Sequence, residues 1–189
     1  PALNVFATNT AVCSGNSINL NATGGNTYLW SGPNGFNSVQ QNPSIINSST
    51  LSSGAYSVTA TNTLTGCSTN TTVNVLVNSL PVFNASATSG SVCTNGNIQL
   101  SATGSSITTY IWSGPASYSA TGASQTLSNT TVSNAGIYTV TVTDINNCQS
   151  TLMVPVFVYS LTPVNANAGA STNTFCTGNS INLVGTTSA

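Results

Sequence analysis

The chain of 189 residues contains no Lys, Arg or His and one acidic residue, Asp144, so its formal net charge is −1. Without cationic side chains it has no surface that could neutralise nucleic-acid phosphates, and without His or a second carboxylate it has no acid/base pair, catalytic triad or hard-metal cage. Its longest apolar stretch, residues 152–159, is interrupted by Pro155 and is too short to span a bilayer. The composition therefore predicts a protein with no catalytic, cofactor-binding or metal-binding residues, no nucleic-acid partner and no membrane insertion.

Apolar and polar residues alternate in short runs, which is the pattern of half-buried β-strands. In the first 80 residues the pattern predicts strands at residues 3–7, 18–22, 28–31, 55–61 and 73–77, with short strands such as 45–46 between the third and the fourth. Turns rich in Gly, Pro and Asn separate them, and no stretch carries a helical period of useful length. We expect Trp30, Tyr56 and Val58 to point into a core.

The chain repeats itself. The segment Cys13–Leu20 returns at residues 93–100 and again at 176–183, at spacings of 80 and 83 residues. Self-similarity at such a period is the signature of a repeat architecture. We expect one repeat over 1–80, a second over 81–162, and the first two strands of an incomplete third over 163–189. The joints are short and contain Pro, with no Gly/Ser-rich linker, which favours a stiff rod.

The second repeat follows the first strand by strand, so that Trp112, Tyr138 and Val140 correspond to Trp30, Tyr56 and Val58. A Trp strand followed by a Gly-x-Tyr strand is typical of an immunoglobulin-like sandwich. The predicted fold is all-β, with tandem immunoglobulin-like antiparallel β-sandwiches of the seven-stranded type arranged as a rod. These six residues are the predicted core markers. Asp144 precedes the last strand and is predicted to form an Asx-type turn.

Several motifs together resemble a known family. They are Trp30–Phe36, Gln41–Pro43, Gly54–Val58 and Gly66–Cys67, repeated as Trp112–Pro115, Gly136–Val142 and Asn147–Cys148. They resemble the tandem immunoglobulin-like repeats of giant surface proteins of the Bacteroidota. The resemblance implies export by the type IX secretion system and a role in adhesion, gliding or cell contact, and it carries no catalytic residues. The complete absence of basic residues departs from the family pattern.

The five cysteines are Cys13, Cys67, Cys93, Cys148 and Cys176. Cysteines at regular positions in small β repeats indicate an oxidising, extracellular setting. Two pairings are open: Cys13–Cys67 with Cys93–Cys148 inside the repeats, or Cys13–Cys148 across them. Each repeat contains both cysteines of the first pairing. The expected strand order argues for the second, because it places the two cysteine-bearing turns of one sandwich at opposite ends.

We hypothesise an extracellular structural and adhesive module at the cell surface, forming a rigid stalk or filament whose partners are neighbouring repeats or further copies assembled into a filament or bundle. One alternative is a module that binds cell-surface glycans or another surface, with ice less favoured. It rests on the outward rows Thr139, Thr141, Thr143 and Ser57, Thr59, Thr61, although Thr is also common on the solvated side of strands. Another alternative is a passive spacer in a secreted enzyme. No targeting segment is visible, so we expect an internal piece of a longer secreted protein.

Overall fold

The computed structural model describes residues 4–160. The predictions that concern Leu3, Cys176 and the third repeat at 163–189 therefore fall outside the described residues. Within the described range the protein is built of sixteen strands and three short 3-10 helices, so the all-β prediction is confirmed. The chain divides into two compact units. The first comprises the residues up to Pro81 together with Thr143–Gln149, and the second comprises Val82–Val142 with the described residues from Ser150 on.

The first repeat contains eight strands, which are β1 Asn4–Ala7, β2 Ala11–Cys13, β3 Ile18–Thr23, β4 Thr27–Ser31, β5 Asn37–Ser38, β6 Ser44–Ile45, β7 Gly54–Thr61 and β8 Ser68–Asn78. They form a three-stranded sheet in the order β1-β3-β6 and a five-stranded sheet in the order β2-β8-β7-β4-β5. All pairings are antiparallel except that of β2 with β8.

The second repeat has the same eight strands, which are β9 Phe83–Ala87, β10 Ser91–Cys93, β11 Ile98–Gly104, β12 Ile107–Gly114, β13 Tyr118–Thr121, β14 Ser124–Leu127, β15 Gly136–Asp144 and β16 Gln149–Tyr159. Its sheets have the orders β14-β11-β9 and β10-β16-β15-β12-β13, and β10 pairs in parallel with β16.

One detail differs from the expected seven antiparallel strands. In each repeat the first strand is split, so that its first half pairs in the small sheet and its second half crosses to the large one. The second half lies parallel to the last strand and uses backbone groups on the edge of that strand that would otherwise lack a strand partner.

Each repeat encloses its own hydrophobic core. The six predicted core markers are all fully buried, with 0% of their surface exposed. Burial of an indole requires a partner for its N–H. The Nε1 of Trp30 donates to the backbone carbonyl oxygen of Gln40 at 2.9 Å, and that of Trp112 donates to Gly122 at 3.0 Å. The donor and acceptor are ten residues apart in both repeats, which shows how closely the two sandwiches match.

The buried tyrosines make the same contact in both repeats. The Tyr56 hydroxyl donates a 2.7 Å hydrogen bond to the carbonyl oxygen of Ser52, and the Tyr138 hydroxyl donates at 3.1 Å to Asn134. A tyrosine near the start of the penultimate strand that bonds back to the backbone a few residues upstream is the tyrosine corner of immunoglobulin-like domains. The sequence pattern places these two residues in the core but carries no signal for the hydrogen bond.

Close packing against glycines explains the Trp-x-Gly-Pro and Gly-x-Tyr motifs. A Cβ atom on Gly32 would come within 2.4 Å of Tyr56 Cδ1, so only glycine leaves room for the ring. Pro33 lies in turn against Gly54, where a Cβ atom would come within 2.9 Å of its Cγ. Gly54 also has a φ of +137°, a conformation that side-chain-bearing residues rarely adopt. The two motifs therefore form one packing unit, which holds the end of strand β4 against the start of strand β7.

Candidate functional site

The feature that stands out from the repeated architecture is a disulfide bond between Cys13 and Cys148. It joins residues 135 positions apart, with a Cα–Cα distance of 5.6 Å. Cys13 belongs to the first repeat along the sequence, and Cys148 lies in the turn before the last strand of the second. That turn, Thr143–Gln149, is grouped with the first compact unit rather than with the rest of its own repeat.

Cys13 is held at the end of β2 by the parallel pairing of this strand with β8. It lies opposite Asn78 in the register, and the N–H of the next residue, Ser14, donates to the Asn78 carbonyl oxygen at 2.8 Å. The carbonyl oxygen of Cys13 accepts a 3.0 Å hydrogen bond from the N–H of Asn16, which closes the following turn. The sulfur is therefore carried by backbone that is bonded on both sides.

Cys148 is fully buried and is held by Asp144, the one acidic residue of the chain. Asp144 Oδ1 accepts hydrogen bonds from the N–H groups of Asn146 and Cys148, each at 2.8 Å. The N–H of Asp144 also donates to the Cys148 carbonyl oxygen at 3.0 Å. The predicted Asx-type turn is therefore present, and it fixes the residue that carries the disulfide.

The first repeat builds the corresponding turn with a neutral residue. Asn62 Oδ1 accepts hydrogen bonds from the N–H groups of Leu64 at 3.0 Å and Thr65 at 3.3 Å. The N–H of Asn62 donates to the carbonyl oxygen of Cys67 at 2.8 Å. Both turns therefore place a side-chain oxygen acceptor at their first position, an amide oxygen in the first repeat and a carboxylate oxygen in the second.

Of the two cysteine pairings that the sequence leaves open, the prediction of bonds inside each repeat is wrong. Cys67 is a free, exposed thiol, and Cys148 is bonded to Cys13 rather than to Cys93. Cys93 is itself disulfide-bonded, and Cys176 lies outside the described residues. The reason is geometric, since Cys67 immediately precedes the first residue of β8 whereas Cys13 lies opposite Asn78, its last. At about 3.3 Å per residue the 11-residue strand separates the two by roughly 33 Å, far beyond the reach of about 7 Å of a disulfide.

These cysteines also differ in position from those of antibody domains. In antibody domains the second core cysteine lies two residues after the corner tyrosine. Here that position is taken by Val58 and Val140, both of which are fully buried. Each sandwich thus has an aliphatic side chain at this position, and its cysteines lie elsewhere, at a strand end (Cys13, Cys93) or in a turn (Cys67, Cys148).

The outward Thr and Ser residues lie on the central strand of each large sheet, because β7 and β15 are flanked on both sides. In the first repeat, cross-strand pairs join Ser57 to Thr72, Thr59 to Asn70 and Thr61 to Ser68. In the second, Thr141 and Thr151 exchange a hydrogen bond of 3.1 Å between their hydroxyl groups. The side chains on β7 and β15 are half-buried, whereas their partners on β8 and β16 are exposed, and together they form polar rows across the sheet.

Ionisable groups other than Asp144 and the cysteines are tyrosines. Burial raises the pKa of Tyr56 above its ordinary value of 10.0. Burial also raises the pKa of Tyr138, the neighbouring Tyr118 raises it further, and the hydrogen bond with Asn134 acts in the opposite direction. Both phenols are therefore neutral hydrogen-bond donors at physiological pH.

Residues 4–160 contain no cluster of three or more Cys, Asp, Glu or His side chains that could hold a metal ion. No helix in this part of the chain combines the length and the apolar character needed to cross a membrane. The chemistry that the described residues do offer is thiol–disulfide chemistry at Cys13, Cys67, Cys93 and Cys148.

The strand order, the buried Trp and the tyrosine corner define two immunoglobulin-like β-sandwiches. No protein-family model matches the chain, and a search of curated proteins finds no relative.

Among solved structures, the chain is similar to three N-terminal domains of the bacteriophage RB49 highly immunogenic outer capsid protein, with 18% identity over 82% of this chain and 58% of that one and a TM-score of 0.42. The chain thus spans less than two thirds of that structure. It is also similar to an I-band fragment of titin, with 14% identity over 82% of this chain and 66% of that one and a TM-score of 0.42. Murine CEACAM1b has 12% identity over 83% of this chain and 100% of that one, with a TM-score of 0.39.

Proposed function

We propose that this chain is a non-enzymatic, load-bearing segment of an extracellular stalk or filament, in which successive immunoglobulin-like repeats are joined by disulfides. The observation that carries the proposal is the bond between Cys13 and Cys148. This bond closes a loop of 135 residues, and the loop includes parts of both repeats. Structural disulfides persist in oxidising compartments outside the cytosol, which supports an extracellular location.

The position of the bond determines what tension can do to the chain. A force applied at the two termini passes through the Cys13–Cys148 bond, so the residues between them cannot lengthen the molecule even if they unfold. Fully extended, 135 residues would span about 450–490 Å. The bond prevents these residues from adding to the length of the chain under tension, which suits a stalk that must transmit force without extending.

The wider setting follows from the family resemblance. We propose repeat boundaries at 1–80 and 81–162, with 163–189 opening a third repeat, in a rod of a large surface protein of the Bacteroidota exported by the type IX secretion system. Its partners would be neighbouring repeats and further copies in a filament or bundle, and its role would be adhesion, gliding or cell contact at the cell surface. The lack of basic residues suits such a segment, because trypsin-like proteases find no Lys or Arg to cleave.

Single-molecule force spectroscopy on the full chain, held at its termini, tests this function. The oxidised protein should show no unfolding step that releases residues 13–148, whereas Cys148→Ser should release that length. Cys67→Ser is the matched control, because it removes a cysteine without touching the bond, and it should behave as the unmodified chain. Release of the full length by the oxidised chain would show that the Cys13–Cys148 bond does not carry the force and would contradict the load-bearing function.

A second candidate function is binding of a glycan or another polar surface. The observation that favours it is the set of polar rows on the five-stranded sheet of the first repeat, where Ser57, Thr59 and Thr61 pair with Thr72, Asn70 and Ser68. Titration of the chain with cell-surface polysaccharides, followed by NMR, should perturb these residues first. The variant Thr59→Val, which keeps the shape and removes one hydroxyl, should weaken binding, and perturbations confined to other surfaces would exclude this candidate.

A further inference from the structure

The exposed thiol of Cys67 occupies the same structural position as the bonded sulfur of Cys148. Each cysteine closes the turn between the last two strands of its repeat, and its carbonyl oxygen accepts a hydrogen bond from the first residue of that turn, at 2.8 Å from Asn62 and at 3.0 Å from Asp144. The sulfur of Cys67 lies 3.9 Å from the carbonyl oxygen of Thr65, and that of Cys148 lies 4.0 Å from the carbonyl oxygen of Asn146. We refer to Cys67 and Cys148 as the turn cysteines.

The other two described cysteines are equivalent in the same way. Cys13 lies opposite Asn78 and Cys93 opposite Tyr159, each at the end of a strand that runs parallel to the last strand of its repeat. The following residue donates a 2.8 Å hydrogen bond to that partner in both repeats, and the turn closes on the cysteine carbonyl oxygen at 3.0 Å. We refer to Cys13 and Cys93 as the strand-end cysteines.

The one bond between described cysteines joins the strand-end cysteine of one repeat to the turn cysteine of the next. We propose that Cys67 is the acceptor of a bond of this same kind, formed with the strand-end cysteine of an immunoglobulin-like repeat that precedes Pro1 in the same polypeptide. The inference deepens the proposed stalk function and rests on it for the presence of a preceding repeat. It would link the first repeat to a preceding repeat in the way that the Cys13–Cys148 bond links the second repeat to the first.

The equivalence distinguishes Cys67 from an isolated surface cysteine. Its counterpart, Cys148, is 0% exposed and bonded, whereas Cys67 itself is exposed with a free thiol. Both turns close with the same hydrogen bond to the cysteine carbonyl oxygen, although the turn of the first repeat is one residue longer. We attribute the difference between the two sulfurs to whether a strand-end cysteine is present to meet the turn. In the described part of the chain, only Cys13 and Cys93 are of the strand-end kind, and Cys13 is already used by Cys148.

Formation of the bond requires an oxidant. The Cys67 thiol and the partner thiol each lose a proton and together lose two electrons, and these pass to the disulfide of a dithiol–disulfide exchange protein, which leaves as a dithiol. The first step is attack of one thiolate on that carrier disulfide, and the second is attack of the other thiolate on the resulting mixed disulfide. No other co-reactant is needed.

The test extends the full chain by a copy of residues 1–80 placed before Pro1, so that Leu80 of the copy meets Pro1 as Leu80 meets Pro81 in the native sequence. In the copy, Cys67→Ser removes a second free thiol and Thr10→Ser marks the Cys13 peptide by mass. After folding in a glutathione redox buffer, free thiols are alkylated and the protein is cleaved with pepsin, since trypsin has no site. Mass spectrometry then reports the partners of the Cys13 and Cys67 peptides.

The expected result is a linked peptide between the marked Cys13 and Cys67, with no alkylated Cys67. The unextended chain should give fully alkylated Cys67, and Cys13→Ser in the copy should restore that state. The native Cys13–Cys148 peptide serves as the internal measure of folding. If that peptide forms while Cys67 remains alkylated, or if Cys67 links two molecules, the proposal is overturned.

A second extended protein tests the same link with a different preceding repeat. It carries residues 81–162 before Pro1, so that the donor is the copy's Cys93, with Cys148→Ser in the copy. The same link to Cys67 is expected from this different sequence. Failure here would leave the load-bearing function intact, because the force experiment depends on Cys13 and Cys148 alone.

Discussion

The ring of Tyr138 lies so close to Gly114 that a Cβ atom on Gly114 would come within 2.5 Å of Tyr138 Cδ1. The variant Gly114→Ala should therefore destabilise the second repeat by about 1–3 kcal/mol, because the added methyl group must displace a buried ring. Urea denaturation followed by tryptophan fluorescence measures the change. Gly90→Ala is the matched control in the same repeat, since its Cβ would meet nothing closer than 3.9 Å. Equal effects of the two variants would contradict the packing argument.

The tyrosine corner can be tested by removing one oxygen atom. Tyr56→Phe keeps the ring but loses the 2.7 Å hydrogen bond to Ser52, whose carbonyl oxygen then loses this donor. We expect a loss of about 1–3 kcal/mol in the free energy of unfolding of the first repeat. Tyr159→Phe, at a tyrosine that is 56% exposed and makes no hydrogen bond through its hydroxyl within the described chain, should change stability little. If Tyr56→Phe left the free energy of unfolding unchanged, the tyrosine corner would be dispensable for stability.

Stability should be nearly independent of pH from about pH 4 to 9 and should fall above about pH 10. Burial raises the pKa of Tyr56 and Tyr138 in the folded state. The stabilisation from the neutral phenols is fully present below the ordinary pKa of 10.0. It is lost as the pH rises towards the raised folded values, because the unfolded chain gives up these protons first. Thermal melting as a function of pH should show this fall, and the double variant Tyr56→Phe, Tyr138→Phe should flatten it.

The disulfide should contribute substantially to stability. Loss of a bond that closes a loop of 135 residues should cost roughly 2–5 kcal/mol, because the unfolded chain regains conformational freedom. Cys13→Ser and Cys148→Ser should have similar effects on the urea midpoint under oxidising conditions. Cys67→Ser should have none, since this thiol is free and exposed. An unchanged urea midpoint in Cys13→Ser and Cys148→Ser would argue against a structural role for the bond.

We expect Asp144 to act as an oxygen acceptor rather than through its charge, because Oδ1 accepts hydrogen bonds from two backbone N–H groups. Asp144→Asn keeps Oδ1 available to the N–H groups of Asn146 and Cys148, as Asn62 does for the corresponding turn, and should be tolerated. Asp144→Ala removes the acceptor from two backbone donors and should cost about 1–3 kcal/mol. Calorimetry on the oxidised chain distinguishes the two. If Asn were as damaging as Ala, the negative charge itself would be required.

Local patterns in the sequence were sufficient to predict the repeats, the all-β class and the core residues. Trp30 and Trp112 recur with the same flanking residues, and alternation along each strand shows which side chains face inward, because side chains alternate across a strand. The Asx-type turn at Asp144 was also predictable, because it depends on residues within four positions of one another. Interactions of this kind are local and leave a readable pattern.

The tertiary structure decided what depends on distant residues. The splitting of the first strand needed a free edge on the last strand, about 65 residues later, and no local pattern records it. The choice between two cysteine pairings, which the sequence left open, depended on which ends of the strands meet. Cys13 and Cys148 come within bonding distance, whereas the length of β8 keeps Cys13 from Cys67. A sequence shows which residues can form a disulfide, but only the folded backbone brings two of them to within a few ångströms.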